Sequence, residues 1–182
     1  MIIKSYEIQK TLSNFLKYNL FLLYGENDGL RKDIRGLIQN AIKKKDNNTE
    51  LLFFYENDII ENDENFYNSV FSDSLFGSTK IITINNGTDK ILQKIDDIIE
   101  KYPENVFLII FADLLEKKSK LRNFFEKNTK TLCIPCYLDN NKDLEIIAKN
   151  EFKKNNITLS TESINLLIDK SNGNSGNLKN EI

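Results

Sequence analysis

Residues 20–30, with the sequence LFLLYGENDGL, decide the fold of this 182-residue chain. The first five residues form an uninterrupted apolar run, which is typical of a strand buried on both faces of a parallel sheet. A glycine-containing turn follows, and Asn27 or Asp28 can cap the helix after it. Apolar residues then recur on one helical face: Leu30, Ile34, Leu37, Ile38, Ala41 and Ile42. The segment therefore predicts a strand, a tight turn and a helix, the repeating unit of α/β folds.

The same alternation continues along the chain. Four further apolar runs are predicted to be strands: Glu50–Phe54, Lys80–Ile84, Val106–Ala112 and Thr131–Pro135. Helical periodicity precedes the last three of them, in the segments Phe66–Phe71, Ile91–Ile99 and Leu121–Phe125. We expect an α/β fold with a five-stranded parallel sheet flanked by helices.

No strand is predicted after Tyr137, where a polar connector at Leu138–Asn141 leads into helices only. Two apolar stripes follow, formed by Leu144, Ile147, Ala148 and Phe152 and by Ile164, Leu167 and Ile168. A third helix is expected to begin near Ser175. We predict an α/β domain over residues 1–138 and an all-helical domain over residues 139–182, and we expect the helical domain to be incomplete.

The composition excludes several functional classes. With 25 Lys and Arg against 27 Asp and Glu, the chain has no overall positive field for holding DNA. Any DNA contact must be local, and the one dense basic stretch contains Lys117, Lys118, Lys120 and Arg122. The absence of His removes the commonest general base and metal ligand. We expect no metal site, because Cys133 and Cys136 alone are too few for zinc, and we interpret them as reduced thiols at a strand end.

The amino terminus lacks a secretory pattern, and the longest apolar run, Val106–Ala112, is too short to cross a bilayer. We therefore expect a cytoplasmic protein without a membrane partner.

The turn after the first strand lies where a phosphate-binding loop would precede a helix. Such a loop needs the pattern Gly-x-x-x-x-Gly-Lys-Ser/Thr, but Gly25 and Gly29 are too close together and Glu26 and Asp28 add negative charge. We predict a degenerate nucleotide loop, comprising Gly25, Glu26, Asn27 and Gly29, that does not bind ATP.

The strand ends also lack a pair of acidic residues for magnesium. The third strand ends at Asn85-Asn86, and the fourth reaches a single acid, Asp113, which we interpret as a helix cap.

The segment Ser72-Asp73-Ser74-Leu75-Phe76-Gly77-Ser78-Thr79-Lys80 joins a predicted helix to the third strand. A Leu-Phe pair between small residues offers two apolar anchors for a partner's pocket. By pattern alone, Leu75 and Phe76 also fit the description of core residues that close the helix onto the sheet.

Several segments, in order, resemble the delta subunit of the bacterial DNA polymerase III clamp loader. Residues 22–26 are similar to the family's degenerate nucleotide loop, and Ser74-Leu75-Phe76-Gly77 with Lys80-Ile81-Ile82 is similar to its clamp-binding element. Residues 118–121 resemble the family segment after the fourth strand, where an Arg commonly stands at Lys117 or Lys118. Residues 173–174 and 178–182 are similar to its helical lid domain.

The resemblance implies an AAA+ domain with an inactive nucleotide site, a helical lid and a carboxy-terminal collar that this sequence lacks. It implies a subunit without catalytic activity or cofactor, in which Leu75 and Phe76, with Ser74 and Gly77, bind the sliding clamp (beta subunit) and help to open it. The implied partners are the gamma/tau and delta prime subunits and primer-template DNA. The alternatives are an active P-loop enzyme, a DNA-binding module and a structural AAA+-like scaffold subunit.

Overall fold

The computed structural model of the protein describes residues 16–72 and 79–182. In these ranges it contains a parallel sheet of five strands: β1 (Leu20–Tyr24), β2 (Glu50–Tyr55), β3 (Lys80–Asn85), β4 (Val106–Ala112) and β5 (Thr131–Pro135). Their order across the sheet is β2-β3-β4-β1-β5. All five predicted strands are therefore confirmed, with bounds that differ by at most one residue.

The helices of the sheet-containing part are α1 (Asp28–Lys43), α2 (Glu56–Glu61), α3 (Glu64–Phe71), α4 (Leu92–Ile99) and α5 (Lys120–Lys127). A 3₁₀ turn at Asp89–Ile91 leads into α4. Asn27 caps α1 by accepting a hydrogen bond from the backbone N–H of Leu30, as predicted. Helix α2 was not predicted, because its six residues include only two apolar ones, Ile59 and Ile60, and show no helical repeat.

The sheet is covered on both faces. Along β1, Leu20, Leu22 and Tyr24 belong to the core shared with helices α2–α5. The alternate residues Phe21 and Leu23 belong to the core shared with α1. This division follows from the period of two in a strand, which sends successive side chains to opposite faces.

Three further helices follow the sheet: α6 (Asn141–Lys154), α7 (Thr161–Ser171) and α8 (Ser175–Glu181). They share a third, separate core formed by Leu144, Ala148, Phe152, Ile164, Ile168 and Leu178. The turn between α7 and α8 places Asn172 and Gly173 at positive φ values of 50° and 75°. Asparagine and glycine tolerate this conformation best.

The carboxylate of Asp89 connects the turn after β3 to the start of α5. It accepts hydrogen bonds from Ser119 Oγ (2.6 Å) and from the backbone N–H groups of Lys120 (3.0 Å) and Leu121 (2.9 Å). The pKa of Asp89 lies below its usual value. Loss of solvent around the carboxylate acts to raise this pKa, but the three hydrogen bonds and the nearby charge of Lys120 lower it by more. The ionised carboxylate therefore stabilises the helix start.

We predict that Asp89→Asn lowers the free energy of unfolding by about 1 kcal/mol at neutral pH. The pKa of Asp89 is depressed in the folded state, so the stabilisation that its carboxylate provides is fully present above the unfolded-state pKa of about 4. This stabilisation is lost as the pH falls through the folded-state pKa. Urea unfolding of the wild type and of Asp89→Asn across this pH range tests the prediction. The control Asp96→Asn, at an exposed position on α4, should change little; a pH-independent deficit in Asp89→Asn would contradict the prediction.

Candidate functional site

The loop after β1 is held tightly between the ends of two neighbouring strands. Gly25 has a φ of +130°, and a Cβ atom there would lie 2.2 Å from the carbonyl oxygen of Cys136. The N–H group of Gly25 faces the carbonyl oxygens of Ala112 and Asp113, each at 3.3 Å. Only glycine fits this position, because both the backbone angle and the space exclude a side chain.

Four backbone N–H groups of the loop and of the first turn of α1 have partners within the protein. Asn27 N–H donates to Cys136 O (3.0 Å), and Asp28 N–H donates to Glu26 O (3.1 Å). At the start of α1, the N–H of Leu30 donates to the side-chain oxygen of Asn27 at 3.1 Å. The N–H of Arg31 donates to the backbone carbonyl of Asn27, also at 3.1 Å. A phosphate cradle requires such N–H groups to point toward the ligand. These four groups point instead into the protein.

Arg31 fills the place where a phosphate-binding loop carries its lysine. Counted from Gly25, the lysine of the motif falls at position 31 and its Ser or Thr at Lys32. Arg31 is 8% exposed and turns toward the end of β4. Its guanidinium donates to the carbonyl of Ala112 and to the carboxylates of Asp113 (3.1 Å) and Asp28 (3.4 Å). The cation is thus neutralised by the protein.

The interpretation of Asp113 as a helix cap was wrong. Its carboxylate pairs with Arg31, and the next helix begins only at Lys120. That helix is capped by Ser119, whose side chain accepts a hydrogen bond from Arg122 N–H at 3.2 Å. The physical reason is charge: a carboxylate next to a nearly buried guanidinium is held by the ion pair.

Helix α8 packs directly on this loop. A Cβ atom at Gly29 would lie 2.5 Å from the Cα of Gly176, so the two glycines let the backbones of α1 and α8 touch. Lys179 forms an ion pair with Asp33. The side chain of Asn27 donates to the Asp139 carboxylate at 2.7 Å. The helical part therefore packs against the first two turns of α1 and the residue that caps it, and Asn27 and Gly29 of the predicted loop are parts of this junction.

The predicted basic stretch divides into two kinds of residue. Lys117, Lys118 and Lys120 are exposed, and Lys118 pairs with Glu116 at 2.9 Å. Arg122 is committed to the fold, because it binds Glu126 (2.7 Å) and the carbonyl of Leu115 (3.0 Å). Its guanidinium also lies 5.1 Å from the ring centre of Tyr24. Of the four basic residues, Lys117, Lys118 and Lys120 have side chains exposed to a polyanion such as DNA.

Cys133 and Cys136 are buried free thiols on β5 and directly after it. Burial raises the pKa of each thiol to about 12. Neither is a reactive thiolate at neutral pH, which agrees with their interpretation as reduced structural residues.

The predicted clamp-binding residues Ser74, Leu75, Phe76 and Gly77 lie outside the described residues. The structure describes the two ends of their segment: Ser72 follows α3, and Thr79 precedes β3. Lys80 was predicted to begin a strand and to belong to the motif that resembles the clamp-binding element. It is 3% exposed, and its ammonium group contacts the end of α3. The sequence signal for this buried contact was a lysine at the first position of an otherwise apolar strand.

Within residues 16–72 and 79–182, no group of three or more His, Cys, Asp or Glu residues is arranged to hold a metal ion. No helix in this part of the chain is long and apolar enough to cross a membrane.

The fold and the loop define the class of protein. A parallel sheet in this order, with a glycine-containing loop after β1 and helices after β5, is the P-loop or AAA+ type of α/β fold. The family model described as DNA polymerase III, delta subunit, matches residues 21–136. The chain therefore belongs to the DNA polymerase III delta subunit family.

Solved structures agree at the level of the fold. The DNA clamp loader delta protein (YqeN) of Bacillus subtilis matches with a TM-score of 0.64 and 16% identity, over 97% of this chain and 55% of that one. AMPPCP-bound DnaA from Aquifex aeolicus matches with a TM-score of 0.61 and 20% identity, over 97% of this chain and 58% of that one. The RuvB Holliday junction branch migration motor of Thermotoga maritima has a TM-score of 0.59 and 15% identity, over 96% and 59%.

The chain spans only about 55% of the length of the Bacillus subtilis protein. A search among curated proteins found no significant sequence match.

We predict that Gly29→Ala lowers the free energy of unfolding by about 1–3 kcal/mol, because the new methyl group would push α8 away from α1. Gly36→Ala in the same helix is the matched control, since nothing lies within 4 Å of its added Cβ. It should be neutral or stabilise by up to about 1 kcal/mol. Chemical unfolding of the two variants measures the difference, and equal stabilities would contradict the α1–α8 contact.

Proposed function

We propose that this chain is the part of a clamp loader delta subunit that binds the sliding clamp and helps to open it, without hydrolysing ATP itself. Family membership over residues 21–136 is the observation that carries the proposal. The similarity in fold to a clamp loader delta protein supports it. On this proposal the chain acts by protein recognition, and other subunits of the loader supply ATP hydrolysis.

The geometry of the loop after β1 supports the absence of ATP hydrolysis. The position of the phosphate-binding lysine is taken by Arg31, which is already paired with Asp113 at 3.1 Å. Strand β3 ends in Asn85, whose side chain is an amide where a magnesium site needs a carboxylate. Helix α8 contacts the first turn of α1 at Gly29 and Gly176. The first two features each remove a part that phosphoryl transfer requires.

Leu75 and Phe76 are the proposed anchors for the clamp, flanked by Ser74 and Gly77. The surface beside their segment continues the apolar character, since Phe71 at the end of α3 is 46% exposed. Burying a Leu and a Phe side chain is worth about 1.5–3 kcal/mol each by transfer from water. Two such anchors can therefore supply a large share of the free energy of a micromolar contact, which is about 8 kcal/mol.

The proposed partners follow from the family. They are the beta sliding clamp, the gamma/tau and delta prime subunits, and primer-template DNA inside the assembled loader. The exposed Lys117, Lys118 and Lys120 are the proposed DNA contacts of this chain, while Arg122 contributes through its hold on α5.

We predict that the protein binds its cognate sliding clamp in the absence of nucleotide and that Leu75→Ala/Phe76→Ala weakens this binding at least about a hundredfold, by loss of two buried side chains. Surface plasmon resonance on immobilised clamp measures the affinities. Circular dichroism shows whether the double variant is folded.

The matched control is Ile146→Ala/Leu166→Ala, which removes two apolar side chains that are 59% and 70% exposed on the helical part. It should bind as the wild type does. Adding magnesium and ATP should leave the wild-type affinity unchanged. Equal binding by the Leu75→Ala/Phe76→Ala variant would reject this anchor, and absence of binding by the wild type would favour a structural scaffold subunit.

For the DNA contact, we predict that replacing Lys117, Lys118 and Lys120 by Ala in the assembled loader lowers DNA affinity. It should also reduce the salt dependence of binding by about 2–3 units of slope, because about one counterion is released per phosphate contact. Fluorescence anisotropy at several salt concentrations measures both. Replacing the exposed run Lys43, Lys44 and Lys45 is the control, and an equal loss there would mean that only net charge matters.

A further inference from the structure

Strand β2 leaves a row of aromatic side chains exposed at the edge of the sheet. Phe53 is 56% exposed and Tyr55 is 57% exposed. Leu51, two residues earlier on the same face, packs against the core that is shared with α1. The opposite edge strand, β5, differs, because its residues 131–134 are fully buried. Large apolar side chains exposed side by side on one strand are typical of a surface that binds a partner.

The free edge of β2 also exposes backbone groups at these positions. Glu50 N–H donates to Thr79 O at 2.9 Å, on the side of β3. The direction of the backbone groups alternates along a strand, so the N–H and C=O groups of Leu51 and Phe53 point away from β3. Within residues 16–72 and 79–182, no strand pairs with this edge. An unpaired edge of this kind is a template for one more strand.

Arg35 on α1 adds a positive charge to the same surface. Its guanidinium lies 6.0 Å from the ring centre of Phe53 and 5.3 Å from that of Phe111, which is the range of cation–π contacts. In the described part of the chain Arg35 forms no hydrogen bond or ion pair, and its neighbours one turn away on α1 are Arg31 and Gln39. The rings position the guanidinium and leave its N–H donors available to an acceptor.

These three features specify the chemistry of a partner. An extended peptide segment satisfies the backbone groups of the edge, because it supplies N–H and C=O groups at the spacing of a strand. Apolar side chains on the face that such a segment shares with α1 would cover Phe53 and Tyr55. A carboxylate between them would accept two hydrogen bonds from Arg35.

Two other occupants fit this surface less well. A second copy of the chain, pairing edge to edge across a two-fold axis, would bring two Arg35 guanidinium groups together without a counter-charge. A single-stranded nucleic acid would stack on the two rings but leave the backbone groups of β2 without partners. The excess of acidic over basic residues in the chain would also repel its phosphates.

We propose that the edge formed by β2, together with Phe53, Tyr55 and Arg35, is a docking site for an extended segment of a protein partner. The segment adds a strand to the sheet and places a carboxylate, flanked by apolar side chains, against Arg35. This assignment does not depend on the proposed function, because it uses neither the clamp anchor nor the proposed DNA contacts.

The test titrates the isotope-labelled protein with the peptide acetyl-Lys-Val-Thr-Glu-Thr-Val-Lys-amide and follows its backbone amide signals by NMR. In a strand, the two valines and the glutamate of this peptide share one face. Binding should shift the signals of residues 50–55 and of the Arg35 side chain, with a dissociation constant below about 1 mM. A version N-methylated at its three central residues lacks the donors for strand pairing and should not bind.

Variants of the protein test each part of the surface. Phe53→Thr/Tyr55→Thr keeps residues that favour a strand, changes only side chains that are more than half exposed, and should weaken binding at least about tenfold. Arg35→Gln should weaken it about fivefold, and changing the glutamate of the peptide to glutamine should weaken binding to the wild type but not to Arg35→Gln. Leu166→Ala removes an apolar side chain that is 70% exposed on α7 and, as the matched control, should bind as the wild type does.

Three results would overturn the proposal. The first is the absence of shifts in residues 50–55 at millimolar peptide, or equal binding of the N-methylated version. The second is a dimer in sedimentation velocity that Phe53→Thr/Tyr55→Thr abolishes, which would assign the edge to a second copy. The third is binding of oligo(dT) at these residues in place of the peptide, which would assign it to nucleic acid. Each of them leaves the proposed binding of the sliding clamp standing.

Discussion

Strand β1 is covered completely on both faces, and the arrangement of the rest follows from this. Its five residues are at most 3% exposed, with α1 on one side and helices α2–α5 on the other. Both of its edges are also paired, with β4 and β5. The loop that begins at Gly25 therefore follows a strand that is buried on both faces and paired along both edges.

The two regions of interest lie at opposite ends of the sheet. All strands are parallel. Gly25, Asn85 and Asp113 therefore lie at the carboxyl ends of their strands, and Lys80 and Glu50 lie at the amino ends of theirs. A strand of six residues spans about 20 Å. Within the described residues, the helical part packs at the carboxyl ends of the strands, away from Lys80 and Glu50.

The sequence was sufficient to predict the sheet but not the contacts made across it. Long apolar runs identify strands, and all five were recognised, although edge strand β2 leaves Phe53 and Tyr55 more than half exposed. Helix α2 was missed because only Ile59 and Ile60 mark it. The cap of α1 was limited to Asn27 or Asp28, because a cap and its partner lie only three residues apart, and Asn27 is the one that caps. The partner of Asp113 is Arg31, 82 positions earlier, and no local pattern connects two residues so far apart.

The close contact between Gly29 and Gly176 bears on how this loop can change over evolutionary time. Substituting lysine for Arg31 would leave the N–H groups of Asn27 and Leu30 bound within the protein. It would also leave α8 in contact with the start of α1. A phosphate cradle therefore requires several coordinated substitutions, because Arg31→Lys alone keeps a cation beside Asp113 and frees no backbone N–H group. No single substitution in this loop creates a phosphate-binding site.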